Sequence, residues 1–282
     1  MNKNTYLTVK DHPVSGEVFQ LLYDDEFDML ITSPQPSEDE LPKYYKSQDY
    51  ISHTDTQRNL FEKLYHFIRR ISLKKKLKLI NLFFSEEKML LDIGCGTGEF
   101  LKIAQQNNWT VFGIEPNEKA RSIANKKTNN SVSDIEKLSN FKPQSFDVIT
   151  LWHVLEHLPR LEEHISILKS LLKSNGTLII TVPNYKSYDA KYYKEFWAAY
   201  DAPRHLWHFS QSSISKLVVK ENMQVFKTLP MKFDSYYVSL LSEKYKSGSM
   251  NIFNALRIGW LSNFKARQST EFSSLIFCVK NS

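Results

Sequence analysis

From residue 88 onward, short apolar runs alternate with stretches of helical period. MLLDI (89–93), TVFGI (110–114), FDVITLW (146–152) and GTLIITV (176–182) are rich in β-branched residues, as buried strands are. Between them, residues 99–107, 117–126 and 160–173 repeat apolar positions at three- and four-residue steps, which predicts helices. Such alternation builds βαβ units, so the expected fold class is α/β, a doubly wound and mostly parallel sheet. SSISKLVVKENM predicts one more helix, with Ser210 or Ser212 as N-cap, and QVFKTLP and SSLIFCVK predict closing strands. Upstream, Leu60, Phe61, Leu64, Phe67, Ile68, Ile71 and Leu79 mark an amphipathic helix within 56–84 that covers one face of the core.

Two aromatic-rich stretches, 184–209 and 231–268, interrupt this scheme. PQPSEDELP at 34–42, with three prolines and three acids, reads as a linker. The expected organisation is therefore an acidic N-terminal arm or cap, 1–55, followed by one domain, 56–282, whose two insertions form an acceptor pocket and lid.

Composition narrows the class. With 41% hydrophobic and 24% charged residues the chain is globular, not disordered. Its N-terminus lacks an apolar signal region and no apolar run reaches bilayer length, so the expectation is a cytoplasmic protein without a transmembrane segment. Two cysteines are too few for a disulfide scaffold or a zinc site. The net charge is +6, but residues 1–55 hold eleven acids against four bases, while 56–84 hold eight bases against one acid. A basic helix face that meets solvent or the acidic arm explains this without nucleic acid, and none is expected as a partner.

The strongest local signal is LLDIGCGTGEF at 90–100, where Gly94, Gly96 and Gly98 place three of the eight glycines within five positions. Glycines between a strand and a helix allow a tight turn and let a ligand approach backbone N–H groups. The spacing departs from the GxGxxG turn of nicotinamide enzymes, which leaves such an oxidoreductase as the weaker alternative. Asp92, ahead of the first glycine, would repel a pyrophosphate but suits a cationic ligand such as a sulfonium or ammonium. Glu115, at the end of the next strand, is placed to accept from ribose hydroxyls.

The order LLDIGCGTGEF, IEPNEKA, SFDVITLWHVLEHL, GTLIITVPN resembles the class I methyltransferases that use S-adenosylmethionine (SAM). It is most similar to the small-molecule branch that includes ubiquinone-biosynthesis O-methyltransferases. The resemblance covers about residues 85–230 and implies a seven-stranded sheet with an antiparallel final strand, with SAM across the strand ends. It implies that Asp92, Gly94, Cys95, Gly96 and Gly98 line the methionine half of SAM, that Glu115 and Pro116 flank the ribose, and that Asp134 and Ile135 border the adenine. Asp134 is also a good helix N-cap. Trp152 and His153 then wall the methionine group, and Trp152 also suits plain core packing. The expected activity is methyl transfer to a small molecule, with oxygen the favoured acceptor atom and a non-catalytic SAM-binding protein the alternative. A monomer or homodimer is expected.

An oxygen acceptor benefits from a general base, and histidine suits neutral pH. The candidates are His153 and His157 in LWHVLEHL and His205 in DAPRHLWHF. His153 and His157 with Glu156 have metal-ligand spacing, but no third ligand is apparent, and no metal is expected. Arg204 offers a planar fork for a substrate carboxylate or phosphate, or else joins Asp201 and His205 in a network that pins the loop. Trp197 belongs to an aromatic run (Tyr185, Tyr188, Tyr192, Tyr193, Phe196, Trp197, Tyr200) that is either core or an acceptor wall. Tyr50, near Tyr44, Tyr45 and His53, is similar to a segment that folds over SAM in related enzymes. For 231–268 a helical lid is expected, with a basic amphipathic patch for membrane or partner contact as the alternative. DHPVSGEVF resembles the start of a zinc ribbon, but Asp11 and Ser15 stand where thiols would be.

Overall fold

The computed structural model describes residues 4–45, 60–84 and 87–282, with the side chains of 60–67 outside it. Tyr50 and His53 lie outside the described residues.

Within the region expected as an acidic arm or cap, the described residues fold into a sheet. Strands β1 (Thr5–Lys10), β2 (Val18–Asp24) and β3 (Met29–Ser33) form an antiparallel meander. A fourth strand, β9 (Trp207–His208), joins it from the 184–209 insertion, pairing Leu30 with His208 and Ile31 with Trp207. The acidic meander meets bases of the main body: Asp28 pairs with Lys186, Glu26 with Lys220 and Asp11 with Arg204.

After helix α1 (Leu60–Ile80), the second sheet is assembled from β4 (Met89–Ile93), β5 (Thr110–Ile114), β6 (Val132–Ser133), β7 (Phe146–Trp152), β8 (Leu172–Pro183), β10 (Met223–Pro230) and β11 (Ser274–Asn281). Its order is β10-β11-β8-β7-β4-β5-β6. Strands β8, β7, β4, β5 and β6 are parallel, and β11 runs antiparallel to both of its neighbours.

Side chains alternate across this sheet. Leu91, Ile93, Ile149 and Leu151 face helices α4 (Leu161–Leu171) and α6 (Gln211–Lys220), while Leu90 and Val148 face α1 and α2 (Glu99–Gln105). Burial on both faces explains why these strands read as continuous apolar runs. Ser210 caps α6, with Ser213 completing a capping box. A third cluster binds β1–β3 to the first insertion, which contains the short α5 (Tyr188–Tyr193), and to α8 (Ile252–Ser269). Residues 231–268, where a helical lid is expected, carry α7 (Asp234–Ser247) and α8. Among the described residues, no helix is long and apolar enough to cross a membrane.

Candidate functional site

Asp92 and Thr150 are register partners on β4 and β7, near the carboxyl ends of both strands, and they share the face that looks toward α1. The Thr150 hydroxyl donates to Asp92 at 2.6 Å, and the carboxylate is 2% exposed. Burial raises the Asp92 pKa to about 7, against the opposing effects of Thr150 and Lys76. A buried carboxylate so poorly compensated is a place where a cation is stabilised.

The chain then turns. Gly94 and Cys95 donate to Ile114 O at 2.8 and 3.1 Å, which ties the loop to β5. Gly96 has φ +55 and a Cβ there would meet nothing within 4 Å. Its neighbours are crowded: a Cβ on Gly94 would strike Val154, and one on Gly98 would strike Ala124. Only the middle glycine of the three thus opens onto space. Burial pushes the Cys95 thiol up, so Cys95 is no thiolate nucleophile.

Glu115 receives N–H donations from Gly96 at 2.8 Å and Asn117 at 2.9 Å, one on each carboxylate oxygen. It is 8% exposed, and burial raises its pKa. Pro116 presents its carbonyl to Arg121 at 3.0 Å. Arg121 also donates to Glu115 O at 2.6 Å and pairs with Asp134 at 2.9 Å. Asp134 receives the Ile135 N–H at 2.6 Å and caps the 3-10 turn Ile135–Asn140, so the capping role is present. Arg121 had no motif to announce it, although it lies one turn into α3 (Glu118–Lys127), the helix after Glu115.

Trp152 stands edge-on to Phe100 at 5.7 Å, with the Lys76 ammonium 4.3 Å from its ring. Its indole N–H is buried without a hydrogen-bond partner. Burial lowers the Lys76 pKa to about 8, against the pull of Asp92 and Asp234. Within the KKK run, nothing distinguished Lys76 from its neighbours.

Two of the histidine candidates, His153 and His157, fall into opposite electrostatic states. His153 has φ +57 and spans two acids: Nε2 lies 3.0 Å from Asp234 on α7, and Nδ1 lies 3.4 Å from Glu156. Burial alone would lower its pKa, but Asp234 and Glu156 raise it to about 10. The imidazole is therefore a cation at neutral pH, and with a third of its side chain exposed it is partly screened. His157 is the opposite case. Burial, then the neighbouring His205, lowers its pKa to about 4, and Nδ1 lies 3.0 Å from Arg204 O. A carbonyl there selects the tautomer with Nδ1 protonated and leaves the Nε2 lone pair available. His205 has the same arrangement, with Nδ1 2.9 Å from Ala199 O. The two rings meet edge to face at 4.5 Å.

Glu156, His157 and His205 bring ligand-type atoms within 4.8 Å of one another, and neither Glu156 oxygen has a hydrogen bond. Burial would raise the Glu156 pKa, but His153 and the other two histidines hold it below the usual carboxylate range. Two imidazole lone pairs and a carboxylate form a donor set that can hold a divalent cation or receive a proton. The ligand missing from the sequence pattern is His205, which lies 48 positions beyond His157 and so leaves no local spacing to detect.

The acceptor-side candidates Arg204 and Trp197 are committed elsewhere. Arg204 is 5% exposed, and its guanidinium donates to Asp201 at 2.6 and 3.0 Å, to Asp11 at 3.1 Å and to Tyr44 O at 3.0 Å. Trp197 is 2% exposed and donates to Asp189, which also receives Ser262 and Ser273 at 2.6 Å each. Both pin the inserted segment in the core. Asp11 takes over the turn where a zinc ribbon would have thiols: its carboxylate receives Ser15 N–H at 2.9 Å and Ser15 Oγ at 2.8 Å.

The sheet order and the glycine loop define a Rossmann-like methyltransferase fold. A model of the methyltransferase-domain family matches residues 56–227, more than half of the chain, and the chain belongs to that family. A ubiquinone biosynthesis O-methyltransferase of Saccharophagus degradans is 30% identical over 105 residues, which cover 35% of this chain and 44% of that protein. A probable S-adenosylmethionine-dependent methyltransferase of Saccharomyces cerevisiae is 34% identical over 99 residues, covering 32% and 34%. The chain thus spans between about a third and a half of these relatives' length. Among solved structures, the magnesium protoporphyrin IX methyltransferase of Synechocystis, with bound S-adenosylhomocysteine (SAH), superposes with a TM-score of 0.56 at 16% identity. That match covers 87% of this chain and 100% of the other.

Proposed function

We propose that the chain transfers the methyl group of SAM to a small-molecule acceptor, with oxygen the favoured acceptor atom. The observation that carries this reading is the cradle itself: a glycine loop open at Gly96, between the buried carboxylates Asp92 and Glu115. The residues fit the donor. Asp92 offers its under-compensated negative charge to the amino acid end, while Lys76 and the unpartnered Trp152 N–H are groups that could meet the donor's carboxylate. Glu115 supplies acceptors for ribose hydroxyls, and Asp134 with Ile135 borders the adenine side.

Bound SAM supplies a methyl carbon already activated by its sulfonium. The glycine loop, Asp92 and Glu115 would hold the donor so that this carbon is offered to the acceptor's lone pair, with SAH as the leaving group. Positioning carries most of such a displacement. His157 is held neutral with its Nε2 lone pair free, which makes it the candidate to take the acceptor's proton; the burial that keeps it neutral also weakens it as a base, an effect that the neighbouring Glu156 carboxylate opposes. His153 is charged in this state and serves to position, while His205 fixes His157 from the side.

Equilibrium dialysis against SAM, SAH and NADH tests the donor. Binding of the first two and not the third is expected, and Glu115→Ala should weaken SAM by about 1.5 to 3 kcal/mol, the worth of a charged hydrogen bond. Tight NADH binding, or unchanged SAM affinity in the variant, overturns the assignment. Transfer of label from methyl-labelled SAM into an acceptor panel then tests catalysis.

A further inference from the structure

Helix α8 is amphipathic in the inverted sense. Apart from Ile258, its buried face is small: Ala255, Gly259, Ser262 and Ala266 let it lie close against α7, where a Cβ on Gly259 would fall within 2.7 Å of the Tyr236 ring. Its large residues point outward. Phe253 is 90% exposed, Trp260 54%, and Leu256 and Phe264 52% each, and their spacing of three, four and four places them along one stripe. Ordinary surface helices bury such residues, so this stripe requires a partner.

Charge chooses the partner. Every exposed charge on α7 and α8 is positive, with Arg257, Lys265 and Arg267 on α8 beside the aromatics. Helix α8 contains no acid. The two acids of α7 are turned inward: Asp234 pairs with His153, and Glu243 is 5% exposed against Asn254. A second copy docking by the same patch would bring these cations face to face, so self-association is disfavoured. Aromatic and aliphatic side chains at interfacial depth, ringed by cations, are complementary to an anionic lipid surface.

We infer that α8 docks the protein on an anionic bilayer, with Phe253, Leu256, Trp260 and Phe264 entering the headgroup boundary. The inference stands apart from the proposed transfer reaction and goes beyond it. Because α7 carries Asp234, which pairs with His153, the docked helix pair would sit beside the mouth of the candidate site and favour acceptors that partition into lipid.

The test is sedimentation of the full chain with vesicles of phosphatidylcholine containing about 30% phosphatidylglycerol, against phosphatidylcholine alone. Binding to the anionic vesicles at least about tenfold tighter, weakened by salt, is expected. Phe253→Ser/Trp260→Ser changes only exposed side chains and should reduce vesicle binding at least about tenfold with Tm unchanged. Arg257→Glu/Lys265→Glu should do the same, by charge alone. The inference is overturned if the wild-type chain stays in the supernatant, or if the aromatic double variant sediments as wild type does. It is equally overturned if the stripe instead supports a concentration-dependent dimer that the aromatic variant abolishes.

Discussion

Asp11 and Arg204, 193 positions apart, form a buried ion pair at 3.1 Å that ties the N-terminal meander to the inserted loop. The guanidinium is shared with Asp201, whose pKa it holds below the usual carboxylate range against the effect of burial. Arg204→Met leaves both carboxylates without their cation and should cost about 3 to 5 kcal/mol, the range for breaking a buried pair. A group with a depressed folded pKa contributes stability above its unfolded value and loses it as pH falls. The penalty should therefore shrink when urea unfolding is repeated below about pH 4. A cost under about 1 kcal/mol at neutral pH would show that the pair is incidental.

Gly96 separates binding from folding. Its φ of +55 makes any side chain strained, but no atom stands where a Cβ would go. Gly96→Ala should lower stability by only about 1 to 2 kcal/mol. It should nevertheless abolish SAM binding, because the methyl group projects into the cradle. Calorimetry with SAM beside a thermal melt checks both, and retained affinity would place the donor elsewhere.

The Asp92 pKa of about 7 makes donor binding depend on pH. A cationic ligand binds the ionised carboxylate, so affinity should fall as pH drops through 7. Between pH 8 and pH 6 the dissociation constant should rise about tenfold, the linkage expected for one proton. In Asp92→Asn, dialysis should show a flat profile at the weaker value. A slope that survives in the variant would assign the proton to another group.

His153 and Asp234 form the contact between the sheet end and α7, at 3.0 Å. Because the folded pKa of His153 is raised to about 10 from 6.5, its stabilising contribution is complete below the lower value and is lost as pH rises toward the higher. Asp234→Asn should bring the imidazole titration, followed by NMR, down toward its ordinary range. Faster hydrogen exchange in α7 should accompany it. An unchanged titration would assign the shift to Glu156 alone.

The sheet and the cradle were legible because their causes are local. Strands buried on both faces must be apolar throughout, and a loop that admits a ligand to its backbone must use glycine, so both leave a continuous signature. The acceptor side was not legible in the same way. Arg204 reads as an anion fork until Asp11 is seen beside it, and that partner lies on the other side of the sequence. Trp197 became a core residue through Asp189, Ser262 and Ser273, drawn from three separate segments. His205 joined His157 only through the path of the insertion, and Lys76 was hidden among equivalent lysines. The N-terminal region read as an arm because β9, which completes its sheet, is two residues long and carries no periodicity.

That borrowed strand has a practical consequence. An N-terminal truncation ending near residue 45 would strip Trp207 and His208 of their backbone partners, and Arg204 of its deepest counter-ion. The damage would reach His157 and His205 through the same short loop. The meander works less as an appended module than as an outer wall behind His205 and His208, which Thr32 bonds, and a shortened protein should be expected to misassemble there first.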